Sequence, residues 1–329
     1  MMGRNAFVRM AVVGLCAVTL VACGEQKTGP TRIGIMLGVP SFKDATDAFK
    51  QGMIEQGYVE GQTILFDEVS ANGDEDAMAQ GCERFVDGRV DLIFATTNGG
   101  SGACKKAIGD SGIPMVFAIV MNPMASGIVD SMDRPSGNVT GVRNALSEYV
   151  GKRVEILTQL APHVKRVWIP ITAAYPTTKH FLPPVERAAR TLGLTLTTTE
   201  LATPQAIIDY LAATPDAPFD AIMVPPNMAP QAKIAFDAII NYAAERNLPV
   251  IGNSAKNMRE GCLFSYHVDI GEEGRIAARM ADRILKDETR VPYPVVTGEP
   301  VLNINGRVAE ILGLAISDDL RAFGTVLYE

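Results

Sequence analysis

Asp91-Leu-Ile-Phe-Ala-Thr-Thr-Asn98 and Asp220-Ala-Ile-Met-Val-Pro-Pro-Asn227 are two copies of one pattern: an acid, a short apolar run, and a loop closing on asparagine. An unbroken apolar run of this length suits a strand covered on both faces, as in a parallel sheet sandwiched by helices. The segments that follow also match, Ile113-Pro114-Met115-Val116 against Leu248-Pro249-Val250-Ile251. Outward from the first copy, strands are expected at Arg32–Leu37, Ile64–Val69, Leu92–Ala95 and Met115–Ala118. Helical spacing falls between them at Asp44–Gln56, Glu75–Phe85 and Ser101–Ile108, with Gly57 and Gly109 as stops. Outward from the second copy, strands are expected at Val167–Ile171, Thr195–Glu200, Ala221–Val224 and Val250–Gly252. The matching helices are Thr178–Leu192, Pro204–Ala213 and Gln231–Arg246. Two rounds of alternation predict an α/β protein of two doubly wound, Rossmann-like lobes, not a solenoid. Open sheets of this kind bind ligands at the carboxyl ends of their strands.

The lobes need connections. Asn138-Val139-Thr140-Gly141-Val142 and Phe264–Val268 read as strands crossing between them, with a helix over Gly271–Lys286 and a last segment near Val301–Leu314. The expected division is residues 32–142 plus 269–290 for the N-terminal lobe and 143–268 plus 291–329 for the C-terminal lobe, joined by several hinge strands.

The N-terminus carries separate information. Arg4 and Arg9 precede an apolar run from Met10 through Val21, shorter than the roughly 20 residues of a spanning helix. Residues 1–22 are therefore expected to be an export signal. Leu20-Val21-Ala22-Cys23 resembles the lipobox of bacterial lipoproteins, in which the cysteine is lipidated and opens the mature chain. A plain secretory signal with an incidental cysteine is the alternative. Residues 23–31 then form a lipidated tether that holds a domain at a membrane surface in the periplasm or at the cell exterior.

Composition limits the partners. The formal charge of −7 becomes about −9 once the two signal arginines are removed, which argues against nucleic acid. Of five cysteines, Cys16 leaves with the signal and Cys23 is the lipid site. Cys82, Cys104 and Cys262 remain, without the close spacing of a zinc site. In a doubly wound strand order the helices carrying Cys82 and Cys104 lie side by side, open to one disulfide or to two small buried apolar side chains. No metal and no cofactor is expected.

Pro114-Met-Val-Phe-Ala-Ile-Val-Met-Asn-Pro-Met-Ala-Ser-Gly127 followed by Pro135-Ser-Gly-Asn-Val-Thr-Gly141 resembles the signature of ABC transporter substrate-binding lipoproteins, the family that includes tryptophan- and tyrosine-binding members. Gly57-Tyr58-Val59-Glu60-Gly61, Val268-Asp269 and Gly274-Arg275 match as well, so the resemblance spans almost the whole mature chain. It implies the type I periplasmic binding protein fold, closing on a small molecule and delivering it to an ABC permease with a separate ATPase subunit. A monomer is expected.

Thr96-Thr97-Asn98-Gly99-Gly100-Ser101 follows a strand and opens a helix, where backbone N–H groups and the helix dipole suit a carboxylate or another anion. Thr97, Asn98 and Ser101 are the candidate contacts, against a plain capping role for Ser101. By the resemblance, acids often occupy the positions of Asn122, Asn227 and Ser254. Neutral residues there remove partners for a ligand ammonium, which desolvated in a cleft needs a charged acceptor. Asp269 remains, at a crossing strand. Phe42, Met121, Met124, Tyr175 and Met228 fall on the same loops and are candidates for an apolar wall or for lobe cores. The resemblance implies an aromatic or branched amino acid, whereas these residues point to a more apolar organic compound.

His163, His180 and His267 are scattered, and no nucleophile elbow or acid–base pair is present, so an enzyme is not expected. A second reading of the same fold is a ligand-sensing partner of a membrane signalling protein. Trp168 falls in an expected buried strand, where it could also report lobe closure.

Overall fold

The computed structural model describes residues 29–175, 177–286 and 293–328. The export signal, Cys23 and the tether up to residue 28 lie outside them. In chain order the strands are β1 (Thr31–Leu37), β2 (Ile64–Ser70), β3 (Leu92–Thr96), β4 (Met115–Val120), β5 (Val139–Arg143), β6 (Arg166–Ile171), β7 (Thr195–Glu200), β8 (Ala221–Met223), β9 (Val250–Gly252), β10 (Phe264–Val268), β11 (Val296–Thr297), β12 (Pro300–Asn305) and β13 (Thr325–Leu327).

They form two sheets. The first has the order β11-β5-β4-β3-β1-β2 and the second β13-β12-β10-β9-β8-β6-β7. In each, the opening strand (β1 or β6) pairs in parallel with the strand after it on one side and with the next on the other. This places a topological switch point in each lobe. The quoted pattern explains the burial: β3 and β8 are inaccessible along their whole length. Each sheet has a core on both faces. Ile33, Ile35, Phe49 and Phe94 lie on one side of the first and Met36, Phe85, Ile93 and Phe117 on the other. In the second sheet Val167, Ile169 and Phe264 belong to one core and Trp168, Ile222 and Phe236 to the other.

Cys82 and Cys104 form a disulfide, their Cα atoms 4.8 Å apart, tying helix Glu75–Asp87 to helix Thr97–Ile108. Cys262 is a buried free thiol, and burial raises its pKa. Gly141 shows why part of the quoted signature is glycine: a Cβ there would stand 2.2 Å from the carbonyl oxygen of Phe117, on the neighbouring β4.

Three features depart from the expected layout. The runs at residues 138–142 and 264–268 are full members of the two sheets, and the crossings follow them. Residues 293–297, assigned above to the C-terminal lobe, lie with the first: Val295 enters its core and β11 pairs with β5. The return to the second sheet therefore comes between Gly298 and β12, giving crossings near residues 143–146, 268–270 and 298–300. Helices Leu146–Tyr149 and Lys152–Leu160 were not anticipated from the spacing.

Candidate functional site

The repeat that decides the fold works as a staple at both of its ends. Asp91 accepts the backbone N–H of Arg32 at 2.8 Å, and Asp220 accepts those of Lys165 and Arg166 at 2.9 and 2.8 Å, each acid fixing the start of the adjacent strand. At the other end, Asn98 Oδ1 accepts Met121 N–H at 3.1 Å while its Nδ2 donates to Ser126 at 2.6 Å, holding the loop after β4. Asn227 does the same for the loop after β6: Oδ1 accepts Thr172 N–H and Nδ2 donates to Thr178 Oγ1, both at 3.1 Å. Lys105 completes the first clamp by donating to the carbonyls of Gly127 and Ile128.

This geometry sorts the sequence candidates into two groups. Asn227 is only 1% exposed and its amide is spent on Thr172, Thr177 and Thr178, so it shapes the loop from beneath. Ser101, fully buried, donates back to Ala95 O at 3.4 Å and offers nothing to a ligand. Ser254 caps helix Ala255–Arg259 by accepting Asn257 N–H. Asn98 is half-buried and already bonded at both ends. Asp269 caps helix Ile270–Leu285 through Gly271 and Glu272 and lies 3.9 Å from Arg275. In this arrangement these five are framework groups.

The second group remains available. Met124, on the loop after β4, and Met228, the first residue of the short helix Met228–Gln231 beyond β8, are 50% and 65% exposed, and Asn122 is exposed with its Oδ1 accepting Ala125 N–H. Phe42 and Tyr175 are half-buried; Phe42 leans on the core beneath the first sheet, and burial raises the Tyr175 phenol pKa. Met121 reaches from the exit of β4 to pack against the core cluster of the second lobe. Thr97 opens its helix with a left-handed backbone, φ +70°. An L-residue holds that conformation only when its surroundings enforce it.

Sequence reasoning did not foresee the threonines. Thr172, Thr177 and Thr178 converge on Asn227 only because β6 and β8 are neighbours, and nothing in their spacing signals it. Two surface hollows, of about 600 Å³ beside Glu310 and Leu314 and about 270 Å³ beside Leu211 and Arg246, take none of the loops above into their lining. The strand-end loops thus define the candidate site as two separate rims. Among the described residues no group of three or more His, Cys, Asp or Glu could hold a metal ion. Trp168 is fully buried between Tyr210 and Phe219, its Nε1 donating to Thr199, which makes it a reporter of the second lobe's core and not of closure.

Two doubly wound lobes, three crossings and loop sets at the carboxyl ends of both sheets define a bilobed solute-binding protein. The chain belongs to the ABC transporter substrate binding protein family, whose family model matches residues 32–325. It is a transporter's substrate-binding component for a small ligand and not an enzyme. A tyrosine-binding protein of Clostridioides difficile (strain R20291) is 23% identical over 258 residues, 78% of this chain and 73% of that protein. Among solved structures, a Streptococcus ABC domain in complex with L-Trp superposes with a TM-score of 0.70 at 21% identity, covering 91% of this chain and 99% of that one. The ligand-free, open form of a Clostridium difficile substrate-binding protein with adhesive properties gives 0.69 at 22% identity, covering 90% and 99%.

Proposed function

We propose that the mature chain is a monomeric, lipid-anchored solute receptor in the periplasm or at the cell exterior, which closes its lobes on a small, mostly apolar organic molecule and hands it to an ABC permease driven by a separate ATPase. The anchor is Cys23. The observation that carries the ligand class is the pair of exposed methionines, Met124 and Met228, one beyond a strand end in each lobe. Burying two flexible thioether side chains against a ligand on closure favours an adaptable apolar contact. Phe42, Thr97, Met121, Asn122 and Tyr175 complete the contact set, and Asn98, Ser101, Asn227 and Ser254 hold the loops that present it. Relatives named for tyrosine and L-Trp support an aromatic amino acid as the first candidate. The neutral side chain of the exposed Asn122 favours a ligand that does not need a carboxylate partner.

A thermal-shift screen of the soluble form beginning at Gly24 decides between them. The panel is aromatic and branched amino acids, the corresponding acids without the amine, nucleosides, sugars and apolar metabolites. A ligand at a hundred times its dissociation constant stabilises the protein by about 2.7 kcal/mol. A shift with tryptophan or tyrosine places the ligand with those relatives, a shift only with amine-free compounds assigns the cleft to them, and no shift across the panel rejects this ligand class.

A further inference from the structure

Strand β4 is irregular. Its register against β5 shifts between Phe117 and Val120, and Ile119, between them, takes φ +59°. A β-branched residue in the left-handed region is strained and needs an external hold. The hold comes from Glu273, in the first turn of helix Ile270–Leu285, whose Oε2 accepts the Ile119 N–H at 3.0 Å. Two residues on, Met121 is the first-lobe side chain packed against the second lobe's core.

Glu273 also sits where the three crossings meet. Asn144, on the first, lies against its carboxyl, and Asp269, on the second, acts on it through space. Gly298, on the third, is so near that a Cβ there would be 2.9 Å from Oε1. Tyr149, from the helix that enters the second lobe, donates to Asn144 Oδ1 at 3.5 Å. Glu273 is 1% exposed, yet Oε1 has no hydrogen-bond partner. Arg143 Nε at the first crossing, Arg153 Nη1 on helix Lys152–Leu160 and His267 Nδ1 on β10 are likewise buried without a hydrogen-bond partner. The region where the crossings meet thus holds buried, incompletely paired polar groups, and for a Glu273 carboxylate the cost of burial is opposed only by the Ile119 N–H and the Asn144 side chain.

We propose that Glu273 is a proton-operated latch of the hinge: its protonated carboxyl fits the buried arrangement that holds the turn at Ile119 and the reach of Met121, and loss of the proton to solvent drives the hinge to a second arrangement in which water or the guanidinium of Arg143 or Arg153 meets the charge. Burial pushes the Glu273 carboxyl up to about 8, against the Ile119 N–H and the Asn144 side chain, which pull it down, and with Asp269, which adds to the rise. The surrounding groups do not compete in that range. Burial, then Arg153, lowers His267 to about 4. Burial raises the Tyr149 phenol to about 12 and lowers Arg153 to about 10, Tyr149 opposing the latter. Arg143 is paired with Glu148, and Glu272 with Arg275 and Arg279. Helix Lys43–Glu55 presents Ala45 and Phe49 at this level. Because ligand affinity scales with the fraction of chains in the binding-competent arrangement, the latch makes capture depend on pH.

The test uses the mature chain in mild detergent without ligand, between pH 6 and 9.5. The Ile119 amide is followed by selective ¹⁵N-isoleucine labelling, and the lobe separation by spin labels on cysteines replacing the exposed Lys106 and Arg190. In the parent both signals should change together with one apparent pKa near 8. In Glu273→Gln, which keeps an acceptor for Ile119 but cannot ionise, both should keep their low-pH values throughout. An identical pH profile in the two proteins, or a parent that does not change, overturns the latch. If the variant does not fold, the parent's Ile119 titration decides alone. No ligand enters, so failure here leaves the transport reading intact, and a failed ligand screen leaves the latch intact.

Discussion

Replacing Asn227 by alanine tests whether the repeated asparagines are framework groups. The Asn227 amide makes two buried hydrogen bonds at 3.1 Å, to Thr172 N–H and Thr178 Oγ1, with longer contacts at 3.4 Å. Each close bond contributes about 1 kcal/mol net, and stranding the Thr172 N–H costs about 1 kcal/mol more. Asn227→Ala should therefore destabilise the second lobe by about 3 kcal/mol, lowering its melting point by about 9 °C at about 3 °C per kcal/mol. Asn98→Ala removes an equal number of close bonds, but from a half-buried site that water can enter, so it should cost only about 1 kcal/mol. Urea denaturation measures both, with Trp168 emission reporting the second lobe and circular dichroism the whole chain. Equal losses from the two substitutions, or less than about 1 kcal/mol from Asn227→Ala, would refute burial as the reason for the difference and return Asn227 to the list of direct contacts.

Cys82→Ser with Cys104→Ser opens a link across a sequence separation of 22 residues and should cost about 3 kcal/mol on the chain-entropy account; a denaturation midpoint equal to the parent's would show that the link adds nothing. Gly141→Ala drives a methyl into the Phe117 backbone and should cost about 3 kcal/mol, visible as a lowered melting point or loss of soluble protein. Asp220 is opposed by burial, but the Arg166 side chain and two backbone N–H groups hold its pKa below the usual carboxylate value. A depressed carboxyl stabilises the fold above its unfolded pKa, and that stability is lost as pH falls through the folded value. Asp220→Asn should thus cost about 2 kcal/mol at pH 7, and the gap from the parent should close below about pH 4; a gap independent of pH would rule out the charge as its source. Trp168 emission should stay unchanged on ligand addition and shift only on unfolding, as its burial in the second lobe's core requires.

The sequence by itself determined the two lobes. Unbroken apolar runs such as Leu92–Ala95 and glycine stops such as Gly57 are local signals, because chain stiffness and burial on both faces act within a few residues. Most strand and helix limits accordingly agree within two or three residues. The sequence also placed Cys82 beside Cys104, which follows from doubly wound order. Only the tertiary structure decided the rest. How Asn98 and Asn227 are engaged depends on what the neighbouring strand delivers beside them: Met121 and Ser126 in one lobe, and Thr172 and Thr178 in the other. These partners lie more than twenty residues away, and no periodicity records them. β11 joins the first sheet because Val295 finds a core there, and the neighbours of Glu273 became visible only when three distant crossings met around one carboxyl. A local pattern fixes which residues are apolar and where the chain turns; which polar groups are left without partners is a property of the assembled packing, because it depends on every segment that arrives.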